Sequence, residues 1–201
     1  HCQCRRQRQM CIRDSTSKDW GNETAVKKLI PPVPRKTNSQ DISVLVIGVS
    51  TGGPSALAEV LPHLAVANAP PIVVVQHMPK EFTGLLAERL SKMCKHRVSE
   101  AHHGQALQQE HIYLAPGGSH LEIQKHGREA KLVLHDGPPE NSCRPSADVL
   151  FRSAARVFHS DTLALILTGM GNDGLQGCKM IASEGGVVIA QDEPSLSLIH
   201  I

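Results

Sequence analysis

The chain has 201 residues, with 21 basic and 19 acidic side chains for a formal charge of +2, and is 40% hydrophobic against 20% charged. That balance fits one globular domain with a tail and excludes a collagen-like chain, a coiled-coil rod and wholesale disorder. A charge so near zero gathers no phosphates, and one Trp, one Tyr and three Phe offer few stacking platforms, so nucleic acid is not an expected partner.

Residues 1–40 show no sustained hydrophobic period, and Pro31, Pro32 and Pro34 oppose both helix and ladder, so they read as an irregular tail and linker. The run of Arg5, Arg6, Arg8 and Arg13 reads as solvated charge, and Cys2, Cys4 and Cys11 beside His1 match no paired zinc spacing. No apolar run reaches the roughly 18 residues of a membrane span and no signal-peptide core opens the chain. A soluble, cytoplasmic protein without membrane insertion is therefore expected. Cys94, Cys143 and Cys178 are too widely spaced for a disulfide framework and are read as reduced thiols.

From residue 41 short apolar runs alternate with longer amphipathic ones, the texture of parallel β/α units. ISVLVIG at 42–48 predicts a buried strand, and Leu57, Val60, Leu61 and Leu64 a helix after it. IVVVQ at 72–76 predicts a second strand, followed by a helix outlined by Phe82, Leu85, Leu86 and Leu90, which makes a β-α-β crossover. In 98–136 the runs HIYLAP, LEIQKH and KLVLHD are short, alternating and separated by glycines, which predicts β-hairpins. Residues 145–159 predict a helix with Pro145 in its first turn and Val149, Leu150, Ala154 and Val157 on one face. LALILT at 163–168 is a further strand, then come GMGNDG, a helix near 173–185 and a last strand GVVIA. The fold class is α/β: a three-layer, mostly parallel, doubly wound sheet with a small antiparallel hairpin portion.

Three motifs carry chemistry, each after a predicted strand. Gly48-Val49-Ser50-Thr51-Gly52 matches the G-x-S-x-G of a nucleophile elbow, and equally a glycine-rich turn cradling a phosphate. The two glycines would allow the sharp turn that lifts the Ser50 hydroxyl above the sheet. His77 follows the second strand and can take a hydroxyl proton at neutral pH if that strand neighbours the first. Asp173 in GMGNDG would orient the imidazole, or would merely cap a helix. Their convergence on strand carboxyl ends, where open α/β sheets assemble sites, favours a Ser-His-Asp triad. A phosphate or nucleotide module is disfavoured because neither G-K-[ST] nor G-x-G-x-x-G follows the strand. A serine esterase acting on some other small ester stays open.

The segments VLVIGVSTGGPSAL, VVVQHMP, IYLAPGGSHL, CRPSADVLFRSAA, ILTGMGNDG and VVIAQDEPS closely resemble, in order, the catalytic domain of chemotaxis protein-glutamate methylesterases. The resemblance covers about residues 41–195 and implies a three-layer α/β fold with Ser50, His77 and Asp173 as triad. It implies hydrolysis of glutamyl γ-methyl esters on methyl-accepting chemotaxis receptors and deamidation of particular receptor glutamines, with no metal or organic cofactor. Backbone groups at Thr51 and Met170 become oxyanion candidates, and Arg144 a contact for the acidic receptor helix. The receiver domain that usually precedes this domain is absent from the sequence, the domain is expected to be truncated at its C-terminus, and residues 1–15 and 196–201 are expected to be foreign.

Overall fold

The computed structural model describes residues 42–191, so the expectations for the tail at 1–40, its cysteine and arginine clusters, and the segment 196–201 lie outside the described residues. The elements in chain order are β1 (Val44–Val49), α1 (Gly53–Leu64), β2 (Ile72–Gln76), α2 (Lys80–Ser91), β3 (Arg97–Glu100) and β4 (His111–Leu114). There follow β5 (His120–His126), β6 (Glu129–His135), α3 (Ala147–Phe158), β7 (Thr162–Ile166), α4 (Leu175–Ser183) and β8 (Val187–Ala190). Six strands form one parallel sheet in the order β3-β4-β2-β1-β7-β8, and β5 and β6 pair antiparallel apart from it.

Strand alternation builds two cores, one on each face of the sheet. Leu45, Ile47 and Val49 of β1 join Val74 and Ile112 in packing against Leu57 and Leu61 of α1 and Leu86 and Leu90 of α2. Val44 and Val46, with Val73, Val75 and Tyr113, face α3, α4 and the hairpin through Leu150, Phe151, Ile181, Leu121 and Leu132. Because successive side chains point to opposite faces, a strand covered by helices on both sides must be apolar throughout, as β1, β2 and β4 are. Among the described residues Tyr113 and Phe151 are the large buried aromatics, so the filling there is chiefly aliphatic.

The structure departs from the sequence reading in four places. HIYL does not belong to a hairpin: β4 lies parallel between β2 and β3, since all four residues are buried and need cover on both faces. Pro145 stands outside α3, because Ser146 is extended and serves as the N-cap. Phe82 and Leu85 face solvent, whereas α2 buries Thr83, Leu86, Ala87 and Leu90, a stripe offset from the one outlined by the large residues. Gly48 makes no turn. It lies within β1, where an added Cβ would meet Ala147 Cβ at 3.0 Å and the Phe151 ring at 3.2 Å, so its role is to let α3 approach the strand.

His111 opens β4 with its ring stacked on Tyr113, centroids 4.0 Å apart, and its Nε2 2.8 Å from Ser99 Oγ. Burial, helped by the charge of Arg97, lowers its pKa to about 4. An unfolded histidine titrates near pH 6.5, so between these values the unfolded chain binds more protons and stability falls as pH drops. Urea midpoints of the parent are expected to decline between pH 6.5 and 4, and His111→Gln to flatten that slope; equal slopes would show that another group carries it.

Candidate active site

Adjacent parallel strands bring three carboxyl ends to one edge: Val49 of β1 pairs with Gln76 of β2, and Gly48 with Ile166 of β7. Ser50 and His77 each follow their strand directly, and Asp173 comes seven residues after β7 ends at Ile166. This is the switch point of the winding, because the chain builds the sheet outward from β1 through β2 and later returns on the other side with β7. The buried Gln76 ties the first two ends together: its Nε2 donates to the carbonyls of Ser50 and His77, both at 3.0 Å. The Ser50 N–H donates to Thr168 O at 2.9 Å, fixing the nucleophile candidate to the loop after β7.

His77 Nδ1 lies 3.1 Å from Ser50 Oγ, and His77 Nε2 lies 2.7 Å from Asp173 Oδ2. Facing a carboxylate, Nε2 is assigned the proton, which leaves the Nδ1 lone pair to accept from the Ser50 hydroxyl. Asp173 receives far more than the imidazole. Its Oδ2 accepts Ala147 N–H at 2.7 Å, and its Oδ1 accepts Ser146 Oγ–H at 2.6 Å and Asp148 N–H and Asn141 Nδ2–H at 3.2 Å each. The carboxylate therefore sits at the N-terminus of α3, whose free N–H groups and dipole favour an anion. Burial alone pushes this carboxyl up, but the bonds from His77, Ser146, Ala147 and Asp148 outweigh it and hold it well below the ordinary carboxylate range. Asp173 bonds both the imidazole and a helix start, the two partners the sequence offered as alternatives, and that helix is α3 rather than the α4 that follows.

Residues not singled out in the sequence brace this arrangement. Asp148, 2% exposed, accepts from Asn141 Nδ2 at 2.9 Å and from Gly177 N–H at 2.7 Å, so it links the Asp173 network to α4. A Ser or Asp at a helix start reads as a local cap, and nothing local reveals that Ser146 and Asn141 serve a carboxylate about 30 residues on. Gly169 is needed for close approach: a Cβ there would meet Ser50 Cβ at 2.9 Å. Gly169→Ala is expected to lower the melting temperature by a few degrees, because Ser50 Cβ sits on a hydrogen-bonded backbone that must shift, and to push Ser50 off line, lowering kcat on an ester about 10²-fold. An unchanged kcat would show that the Gly169 loop yields freely.

The remaining sequence candidates lie around this centre. Met170, 83% exposed, lines a cleft of about 90 Å³ with Ser50, His77, Gly169 and Asp173. Thr51 is exposed in the turn between Ser50 and α1 and does not line that cleft. Arg144 lines a neighbouring groove of about 410 Å³ with His77, Lys80, Ser142 and Cys143. Its Nη1 donates to the carbonyls of Asp136 at 3.3 Å and Gly137 at 3.1 Å, which holds the guanidinium on the rim. Cys143 Sγ is 3.6 Å from His77 Nδ1, and burial together with the Asp173 charge pushes its thiol up. Cys94, Cys143 and Cys178 are all free thiols. A larger depression of about 470 Å³ between α2 and β3 is lined by neither His nor Cys.

Residues 45–198 match the family model described as CheB methylesterase. The chain belongs to the CheB methylesterase family. It is 45% identical over 165 residues to a protein-glutamate methylesterase/protein-glutamine glutaminase of Trichodesmium erythraeum, an alignment that covers 80% of this chain and 47% of that protein. A protein of the same name from Desulfotalea psychrophila is 43% identical over 174 residues, covering 86% of this chain and 48% of its own length. The chain thus spans about half the length of the curated relatives it matches. The crystal structure of the Thermotoga maritima CheB methylesterase catalytic domain superposes with a TM-score of 0.75 at 39% identity, covering 78% of this chain and 82% of that one. The fold is accordingly that of the CheB methylesterase domain. Among the described residues no helix is long and apolar enough to cross a membrane.

Proposed function

We propose that this CheB methylesterase domain hydrolyses γ-methyl esters of glutamate, and deamidates glutamine, on chemoreceptors in the cytoplasm, with Ser50, His77 and Asp173 as its triad. The reading is supported above all by the unbroken Ser50–His77–Asp173 hydrogen-bond chain, 3.1 Å and 2.7 Å, at the switch point of the sheet.

Ser50 Oγ attacks the γ-acyl carbon while its proton passes to His77 Nδ1, and the ionised Asp173 stabilises the imidazolium through Nε2–H. The tetrahedral intermediate expels methanol, or ammonia, as His77 returns the proton to the leaving group. Water then attacks the glutamyl-enzyme with the same base, freeing glutamate and restoring Ser50. Ser50 N–H is engaged with Thr168 O, and this reading assigns the oxyanion first to the backbone N–H of Met170, in the cleft, with that of Thr51, in the turn outside it, as the second candidate. Of the five donors of Arg144, Nη1 serves the Asp136–Gly137 loop and the others suit carboxylates of an acidic receptor helix. An open groove beside a small cleft fits one side chain presented on a protein surface better than a free ester buried whole.

The test is initial-rate methanol release from methylated receptor set against hydrolysis of a generic chromogenic ester. Selective turnover of the receptor supports the proposal; preference for the small ester would identify a different serine esterase.

A further inference from the structure

Cys143 takes no part in that reaction, yet its thiol lies against the nitrogen on which the reaction depends. Around His77 Nδ1 stand Cys143 Sγ at 3.6 Å and Ser50 Oγ at 3.1 Å. Tetrahedral zinc, with a Zn–N bond of about 2.05 Å and a Zn–S bond of about 2.3 Å, holds its nitrogen and sulfur about 3.6 Å apart. With a Zn–O bond of about 2.0 Å the nitrogen-to-oxygen edge is about 3.3 Å. Both separations around Nδ1 therefore lie close to the edges of that coordination tetrahedron.

The imidazole is also held as a zinc ligand is held. Its Nε2–H donates to Asp173 Oδ2 at 2.7 Å, the carboxylate–histidine arrangement that fixes the tautomer and raises the basicity of the other nitrogen. Asp173 itself is occupied by Ser146 and the N–H groups of Ala147 and Asp148, so it acts behind the ligand rather than as one. Of the group His77, Cys143 and Asp173, whose donor atoms lie within 4.8 Å of one another, His77 and Cys143 are therefore the two left to face an ion.

We propose that His77 Nδ1 and Cys143 Sγ bind a soft divalent cation, zinc foremost, with Ser50 Oγ and water completing the tetrahedron, and that the ion inhibits the esterase. On binding, the thiol S–H bond breaks, a metal–sulfur bond forms and the proton passes to solvent. Inhibition follows because the Nδ1 lone pair that would accept the Ser50 proton is taken by the metal. Hard cations such as Mg²⁺, which favour oxygen ligands and retain their water, have no comparable hold on this sulfur and nitrogen. The inhibition rests on the esterase reading; the binding does not.

The experiment uses the full chain with Cys2, Cys4 and Cys11 changed to Ser, so that thiols of the tail do not compete. Zinc affinity is measured against a chromogenic chelator, and Co²⁺ replaces zinc to report a thiolate-to-metal charge-transfer band. One zinc per chain and the cobalt band are expected, with affinity lowered about 100-fold or more, and the band lost, in Cys143→Ser and His77→Gln but not in Cys178→Ser. Equal affinity in parent and Cys143→Ser, or no band in the parent, would overturn the site. For inhibition, the ratio of methanol-release rates with and without zinc is taken within each variant: at least a tenfold drop is expected in the parent and less than twofold in Cys143→Ser. Zinc binding with an unchanged rate would overturn the inhibitory half. A zinc-free chain with no activity would instead overturn the functional reading, and inhibition with it, while the cobalt spectrum still decides the site.

Discussion

Replacing Ser50 by Ala is expected to lower kcat for methanol release by about 10⁴ to 10⁶-fold, the range set by loss of the nucleophile in other triad hydrolases. The change deletes one hydroxyl whose bond runs to His77 Nδ1 at 3.1 Å. The backbone bonds that hold the position remain: Ser50 N–H to Thr168 O, Gly53 N–H to Ser50 O, and Gln76 Nε2 to Ser50 O. Stability should accordingly fall by no more than about 0.5–1.5 kcal/mol, the worth of the one hydrogen bond lost at a half-buried site. Initial rates together with a thermal melt separate the two effects, and loss of phosphonate labelling identifies the hydroxyl. A variant turning over within tenfold of the parent would remove Ser50 from the mechanism.

Asp173→Asn is expected to damage both function and fold. In the proposed triad the variant loses the anion assigned to set the His77 tautomer and stabilise the imidazolium, a change worth about 10⁴-fold in kcat in the corresponding triad of another enzyme. The same carboxylate takes hydrogen bonds from Ser146, Ala147, Asp148 and Asn141. Asn offers one acceptor oxygen in place of two and adds an NH₂ that faces donors, so a stability loss of about 1–3 kcal/mol is expected. The pH dependence has a definite sign. Because the folded carboxyl is held below its unfolded value near 3.9, its contribution is full above that pH and disappears as pH falls through the lower, folded value. The gap between parent and variant in urea midpoint should therefore close only below about pH 4, under the window assigned to His111. A gap that stays constant down to pH 2 would show that Asp173 is not held ionised by this network.

The local chemistry of the chain determines a large part of this protein. Val44–Val49 and Ile72–Gln76 are apolar in nearly every position, which makes them strands covered on both faces, and the residues that follow them, Ser50 and His77, stand at strand ends for that reason. The helical stripe of Val149, Leu150 and Ala154 is equally plain from spacing. Tertiary packing decided the rest. HIYL alternates no differently from a hairpin strand, and only cover on both faces by the two cores made it the parallel neighbour of β2. Phe82 and Leu85 were drawn outward because the sheet receives the stripe of Thr83, Leu86, Ala87 and Leu90, and hydrophobicity alone does not say which side of a short helix meets the sheet. The hydrogen bonds of Asp173 to the start of α3 and to Asn141 arise across 25 or more residues of chain, where the N-terminus of α3 meets the loop after β7. Cys143 meets His77 across 66 residues. Contacts of that range leave no periodic trace in a sequence, because they depend on how finished elements pack and not on the local preferences that form them.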